Sequence, residues 1–202
     1  MVDFFSKKNS LYVLKHLAIA VLIGIIVEFC KYAFNLEEPA SDKMKEEFMS
    51  HFILSLIGAI IIAPIVEESI FRLPLKKNYF FPMSILILLL FISTSKYNVV
   101  IIAGILYVIG VIFAQLFNKI ISLRYILIAL SIASFVLVHF DNTDEKELYA
   151  LDSVDLIFLF LPQLGLALVL SKVRLQTTFL NSIVLHSLYN LIILSLALLT
   201  DF

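Results

Sequence analysis

The sequence predicts an all-α fold, a polytopic membrane helical bundle of about seven transmembrane helices forming one membrane-embedded domain over residues 1–202. Three observations carry that expectation. Hydrophobic residues fill 61% of the positions and charged residues only 15%, whereas a soluble domain is nearer half apolar and a quarter charged. Mean hydropathy is +1.03. The apolar residues gather into seven runs, most of them close to the ~20 residues that cross a bilayer core. Such a chain does not dissolve as a monomer. A nucleic-acid binder, a disordered protein and an ordinary cytosolic enzyme are excluded, and the lipid bilayer is the expected partner.

The runs cover roughly residues 11–34, 50–73, 80–95, 98–117, 124–140, 154–171 and 177–199. None alternates as a barrel strand would, and in lipid the backbone must satisfy its own hydrogen bonds, so each is a helix. The first follows Lys7 and Lys8 as a signal peptide would, but it is too long for one and no small-residue cleavage site follows. It reads as a retained span, and Glu28 and Phe29 before Cys30 exclude a lipoprotein site. The second carries Pro64 and a cluster of charges. The third, about 16 residues long, is the shortest and is expected to tilt little or dip only partway. The one cysteine, Cys30, forbids an internal disulfide or a Cys-rich zinc site. There is no internal repeat, linker or low-complexity tract.

With the N-terminus in the cytoplasm, the inner side carries Lys7, Lys8, Lys76, Lys77, Lys119, Arg124, Lys172 and Arg174, and the outer side Lys43, Lys45, Lys96 and Lys146. That excess places the N-terminus inside and the C-terminus outside. Acidic runs fall in the outer loops: Glu37, Glu38, Asp42, Glu46 and Glu47 in the first, and Asp141, Asp144, Glu145, Glu147, Asp152 and Asp155 around the third. They read as solvated loop surface.

Charged side chains inside membrane helices cost a few kcal/mol and are functional candidates. The polar candidates here are Glu28, Glu67, Glu68, Arg72, His139, His186 and Asn190. Glu28 and Lys31, three apart, can bridge locally. His16 and His51 read as interfacial. In the second run Arg72 follows Glu68 by four residues and can neutralise it, while Glu67 points about 100° away and stays free. Pro64 removes a backbone N–H just before the pair. Ser131, Phe135 and His139 form one helical seam, and Ser182, His186 and Asn190 another. A free glutamate, two histidines and an asparagine on three helices suit hydrolysis. Carboxylate and imidazole can share a water as general base, and N–H donors can hold an oxyanion. Alternatively, Glu67, His139 and His186 could bind Zn²⁺ with one position open for water. No thiol, serine triad or paired-acid dyad is arranged for the purpose.

Glu-Glu-x-x-x-Arg (67–72), Phe-x-x-x-His (135–139) and His-x-x-x-Asn (186–190) occur in that order, each in an apolar run. The set resembles the CAAX-protease and bacteriocin-processing family of intramembrane endopeptidases, and covers the chain from the second run to the seventh. The resemblance implies that Glu67 and His139 activate water, that His186 and Asn190 stabilise the oxyanion, and that Glu68 and Arg72 support the site. It implies a peptide or lipidated protein substrate. Members have been argued both as metalloenzymes and as metal-independent glutamate proteases. No cofactor is expected here, with Zn²⁺ on Glu67, His139 and His186 as the alternative. Two departures are visible. Leu73 stands where the family often has glycine, and the stretch from Glu67 to His139 is longer than usual, the third and fourth runs filling it.

Counting helical rise puts Glu67 roughly 13 Å and His186 roughly 15 Å from the inner boundary, but His139 roughly 22 Å. Convergence therefore requires tilt or a later start to the fifth helix. Two other functions compete with the endopeptidase. One is a proton-coupled transporter using the same groups as a relay. The other is a non-catalytic membrane scaffold or bacteriocin-immunity protein, for which a closed, fully paired polar knot would be the mark.

Overall fold

The computed structural model describes residues 7–34, 48–76, 80–117, 120–143, 148 and 151–199. Of the charges used above for orientation, Glu37, Glu38, Asp42, Lys43, Lys45, Glu46, Glu47, Lys77, Lys119, Asp144, Glu145, Lys146 and Glu147 lie outside the described residues, as does the side chain of Lys7.

The chain is an all-α membrane bundle. Helix α1 is Lys7–Phe34. Helix α2 runs in three pieces, Phe52–Ile57, a π-helical stretch Gly58–Ile62, and Ala63–Phe71, ending in a 3₁₀ turn Leu73–Leu75. Then come α3 (Phe81–Ile92), α4 (Asn98–Leu116), α5 (Ile121–Val138), α6 (Ser153–Gln176) and α7 (Phe179–Leu199). Six of these are long and apolar enough to cross a membrane, and α3 is the exception. Its 12 residues rise only about 18 Å, which refines the expectation of about seven spans.

Contacts between helix ends fix the register. Gln115 Nε2 donates to the Pro74 carbonyl (2.8 Å) and Lys76 Nζ to that of Thr177 (2.9 Å), so the ends of α2, α4 and α6 share one face. Ser95 Oγ donates to Asp141 Oδ1 (3.1 Å) and Lys96 Nζ to the Thr143 carbonyl (3.1 Å), placing the α3–α4 and α5–α6 corners together at the other. Short as it is, α3 with its flanking turns carries the chain from one face to the other. The alternation of helix direction is therefore kept.

The closest helix pairs are α4 with α5, and α1 with α6 and α7. Glycine allows two close approaches, one of them between α3 and α4. A Cβ on Gly165 of α6 would lie 2.7 Å from Ile23 Cγ2 of α1, and one on Gly104 of α4 would lie 2.6 Å from Ile92 Cγ2 of α3. Small residues at such crossings let membrane helices pack by van der Waals contact, since lipid offers no hydrophobic drive. Phe71, Tyr107, Phe135, Leu170 and Leu185 fill the centre, while Leu11, Leu22, Ile53, Leu90, Ile102 and Ile121 face outward, where the bilayer would lie. At the start of α6, Asp152 caps the helix, its carboxylate accepting from the backbone N–H groups of Val154 (2.7 Å) and Asp155 (2.9 Å).

His16 is packed inside the bundle, 4% exposed, its ring stacked on Tyr12 at 4.1 Å. One single-residue reading needs correction. Arg174 is not a loop charge. It is buried, and donates from Nε to the Arg72 carbonyl (3.0 Å) and from Nη2 to that of Leu73 (3.4 Å), capping the end of α2.

Candidate active site

The site is built where α2 stops. Pro74 has no N–H to offer the Ile70 carbonyl one turn back. Tyr107 of α4 supplies the missing donor, its hydroxyl lying 2.9 Å from the Ile70 oxygen and 3.1 Å from that of Phe71. Ser131 Oγ of α5 donates to the same Phe71 carbonyl at 2.7 Å. These bonds lock the last turn of α2 against α4 and α5, and the two glutamates sit on the turn above.

Glu68 and Arg72 are both fully buried, with Arg72 Nε 3.7 Å from Glu68 Oε1. The guanidinium carbon lies 4.1 Å from the centre of the Phe135 ring, a desolvated cation–π contact. Glu68 Oε1 also accepts from His186 Nδ1 at 3.2 Å. The second carboxylate of the pair therefore neutralises an arginine and orients a histidine at once. That bond turns Nε2 of His186 away from Glu68 and toward Glu67, whose Oε2 is 3.7 Å off. At that distance the two are neighbours, not hydrogen-bonded. Glu67 keeps 24% of its side chain exposed, while its Oε2 is itself buried and has no hydrogen-bond partner.

Phe135 is fully buried between the two imidazoles, its ring 4.9 Å from that of His139 and 6.0 Å from that of His186. His139 Nδ1 lies 2.8 Å from the Phe135 carbonyl oxygen one turn back. Donation there leaves Nε2 as the free end of the ring. His139 stands at the C-terminal boundary of α5, where the helix gives way to the 3₁₀ turn His139–Asn142.

Asn190 is held by a defect in α2. In the π-helical stretch the Ala63 N–H bonds to the Gly58 carbonyl five residues back. The next bond in that series would run from residue 64 to Ala59, but Pro64 has no N–H. Asn190 Nδ2 takes its place, 2.8 Å from the Ala59 oxygen. One amide N–H is thereby anchored and the other remains.

Glu67, His139, His186 and Asn190 all line one cavity of about 660 Å³. The depth mismatch foreseen for His139 does not separate it from the others, and its cause is not a late start, because α5 begins at Ile121, earlier than expected. Registration explains it. Ser131 meets Phe71, so Phe135 lies level with Glu67 and His139 about one turn above, its ring at the cavity wall. His139 and Glu67 thus face the same space without touching. Among the described residues no three His, Cys, Asp or Glu side chains are grouped to hold a metal ion.

The cavity has further walls on α1 and α6, and sequence spacing did not single out those on α6. Glu28 and Lys31, bonded to each other at 2.8 Å as expected, line it from α1, and Pro162 and Gln163 line it from α6. Gly24, Leu159, Leu166 and Ile193 supply apolar surface. The proline inside an otherwise unbroken apolar run was the available signal for α6.

Comparison with known proteins adds one match. The family described as Type II CAAX prenyl endopeptidase Rce1-like matches residues 49–192, more than two-thirds of the chain and all three motifs. No curated protein and no solved structure matches.

Proposed function

The chain belongs to the Rce1-like type II CAAX prenyl endopeptidase family, and from that premise we propose that it is an intramembrane endopeptidase hydrolysing a peptide bond of a lipidated, membrane-associated substrate. The observation that carries this reading is the convergence of Glu67, His139, His186 and Asn190 on one cavity, with Glu67 Oε2 unpartnered while Glu68 is engaged by both Arg72 and His186. A paired and closed polar knot would have favoured the scaffold or immunity protein.

In the proposed mechanism a water lies between Glu67 and Nε2 of His139. Glu67 takes its proton as the oxygen attacks the scissile carbonyl, and later gives that proton to the leaving amine. The oxyanion is met by the second N–H of Asn190 and by Nε2–H of His186. Nδ1 of His186 is tied to Glu68, so its Nε2 is the nitrogen turned toward Glu67 and the cavity. Arg72, stacked on Phe135 and paired with Glu68, holds that carboxylate against His186, and so positions His186 without touching substrate. The apolar cavity wall accommodates the lipid-bearing segment. The basic residues on the face of Lys76 and Arg174 argue for a cytoplasmic N-terminus and an external C-terminus.

The test is cleavage of an S-farnesyl-cysteine peptide by the purified protein in lipid nanodiscs, followed by mass spectrometry. Two fragments with one water added are expected from the wild type. An intact peptide after prolonged incubation would contradict the reading.

A further inference from the structure

Gln163 is polar, lies midway along α6, and is used by nothing described so far. It lines the cavity that holds Glu67, His139, His186 and Asn190, between the apolar Leu159 and Leu166 on the same helix face. Its Oε1 is sealed from solvent and has no hydrogen-bond partner. Native proteins rarely leave such an atom unpaired, because burial strips its water and returns nothing. One residue earlier stands Pro162, in the helix interior and also on the cavity wall. Proline has no N–H, so the Phe158 carbonyl loses its usual donor one turn up. Beside the Gln163 amide, α6 therefore has a second acceptor, the Phe158 carbonyl, whose usual intrahelical donor Pro162 cannot supply.

A peptide cleaved in this cavity brings the complementary groups. To expose a scissile bond it must be extended, and extended backbone presents N–H donors at regular intervals that need acceptors once water is excluded. We propose that Gln163, together with the Phe158 carbonyl freed by Pro162, binds the substrate's peptide backbone along α6. This holds the scissile bond within the cavity, against Glu67 and Asn190. The assignment rests on the endopeptidase reading but concerns binding, so the two can fail separately. Because it reads backbone and not side chains, this contact tolerates varied sequence around the cleaved bond.

The experiment compares Gln163→Leu with the parent in nanodiscs, in active protein and in the Glu67→Gln background. The probe is a fluorescein-labelled S-farnesyl-cysteine peptide, followed by cleavage and by fluorescence anisotropy. Gln163→Leu is expected to raise KM and Kd about tenfold with kcat within twofold, the pattern of a contact made equally in ground and transition states. Its melting temperature should be at or above the parent's, because an unpaired buried amide is removed; a merely structural glutamine would lower it. A peptide series with single backbone amides replaced by esters sharpens the test. One member should bind the parent about tenfold more weakly and bind Gln163→Leu no worse than the unmodified peptide does. Unchanged KM and Kd in Gln163→Leu, or ester effects that are equal in both proteins, would overturn the proposal while leaving the endopeptidase standing. Gln163-dependent binding without cleavage by the wild type would do the reverse. Absence of both binding and cleavage would overturn both.

Discussion

Replacing Glu68 by alanine should destabilise the bundle more than any change at Glu67. The carboxylate and Arg72 are both fully buried, 3.7 Å apart. Without Glu68, the guanidinium keeps the Phe135 ring at 4.1 Å and a long contact to the Ala167 carbonyl at 3.5 Å, but no anion bonded to it. Removing one partner of a buried pair costs about 3–5 kcal/mol, and the His186 Nδ1–H loses its acceptor as well. At about 2–4 °C per kcal/mol for a chain of this size, the apparent Tm should fall by roughly 10 °C. The chain has no tryptophan, so the readout is the fraction of protein that stays monodisperse on gel filtration after heating in detergent. Arg72→Met in the same background removes the stranded charge and should restore more than half of the loss. A single variant melting within about 2 °C of the parent, or a double variant whose loss is the sum of the two single losses, would refute the reasoning.

Three further outcomes follow from the packing. Pro64→Ala restores an N–H that competes with Asn190 for the Ala59 carbonyl; kcat should fall roughly tenfold with KM unchanged, as expected for a misplaced oxyanion donor, and parental kcat would remove Pro64 from the account. Gly165→Val pushes a side chain into Ile23, whose Cγ2 lies 2.7 Å from where the new Cβ would stand; a loss of about 1–3 kcal/mol is expected, partly recovered by Ile23→Ala, and equal melting of Gly165→Val and the parent would deny the close α1–α6 crossing. In a Cys30→Ser background, an impermeant thiol reagent applied to intact cells should label Lys96→Cys and spare Lys76→Cys; the opposite pattern would reverse the inferred orientation.

The residues that sequence spacing made visible are those whose neighbours lie on the same helix. Arg72 meets Glu68, Lys31 meets Glu28, and His139 bonds back to the Phe135 carbonyl, all at separations of three or four. Their visibility came from charge standing in apolar runs. The remainder depends on which helix faces which. Glu68 reaching His186 across 118 positions, or Asn190 completing the π-helical stretch beside Pro64, has no local signature. Counting helical rise put His139 further out than Glu67, and the Ser131–Phe71 register keeps it about one turn above; that its ring still reaches the shared cavity is set by helix packing, which spacing does not show. Arg174 read as a loop charge because its role, capping another helix's carbonyls, exists only in the folded bundle. Gln163 was passed over because a neutral amide in an apolar run raises no alarm until its pairing is known.

The measurement that bears most directly on the central claim is cleavage of the S-farnesyl-cysteine peptide by wild type and by Glu67→Gln at matched concentration in nanodiscs. Glu67 is partly exposed to the cavity and its Oε2 is unpartnered, so the amide should leave folding intact and remove the base. The account predicts fragments from the wild type and intact peptide from Glu67→Gln, with both proteins melting together. Equal cleavage by the two would contradict it.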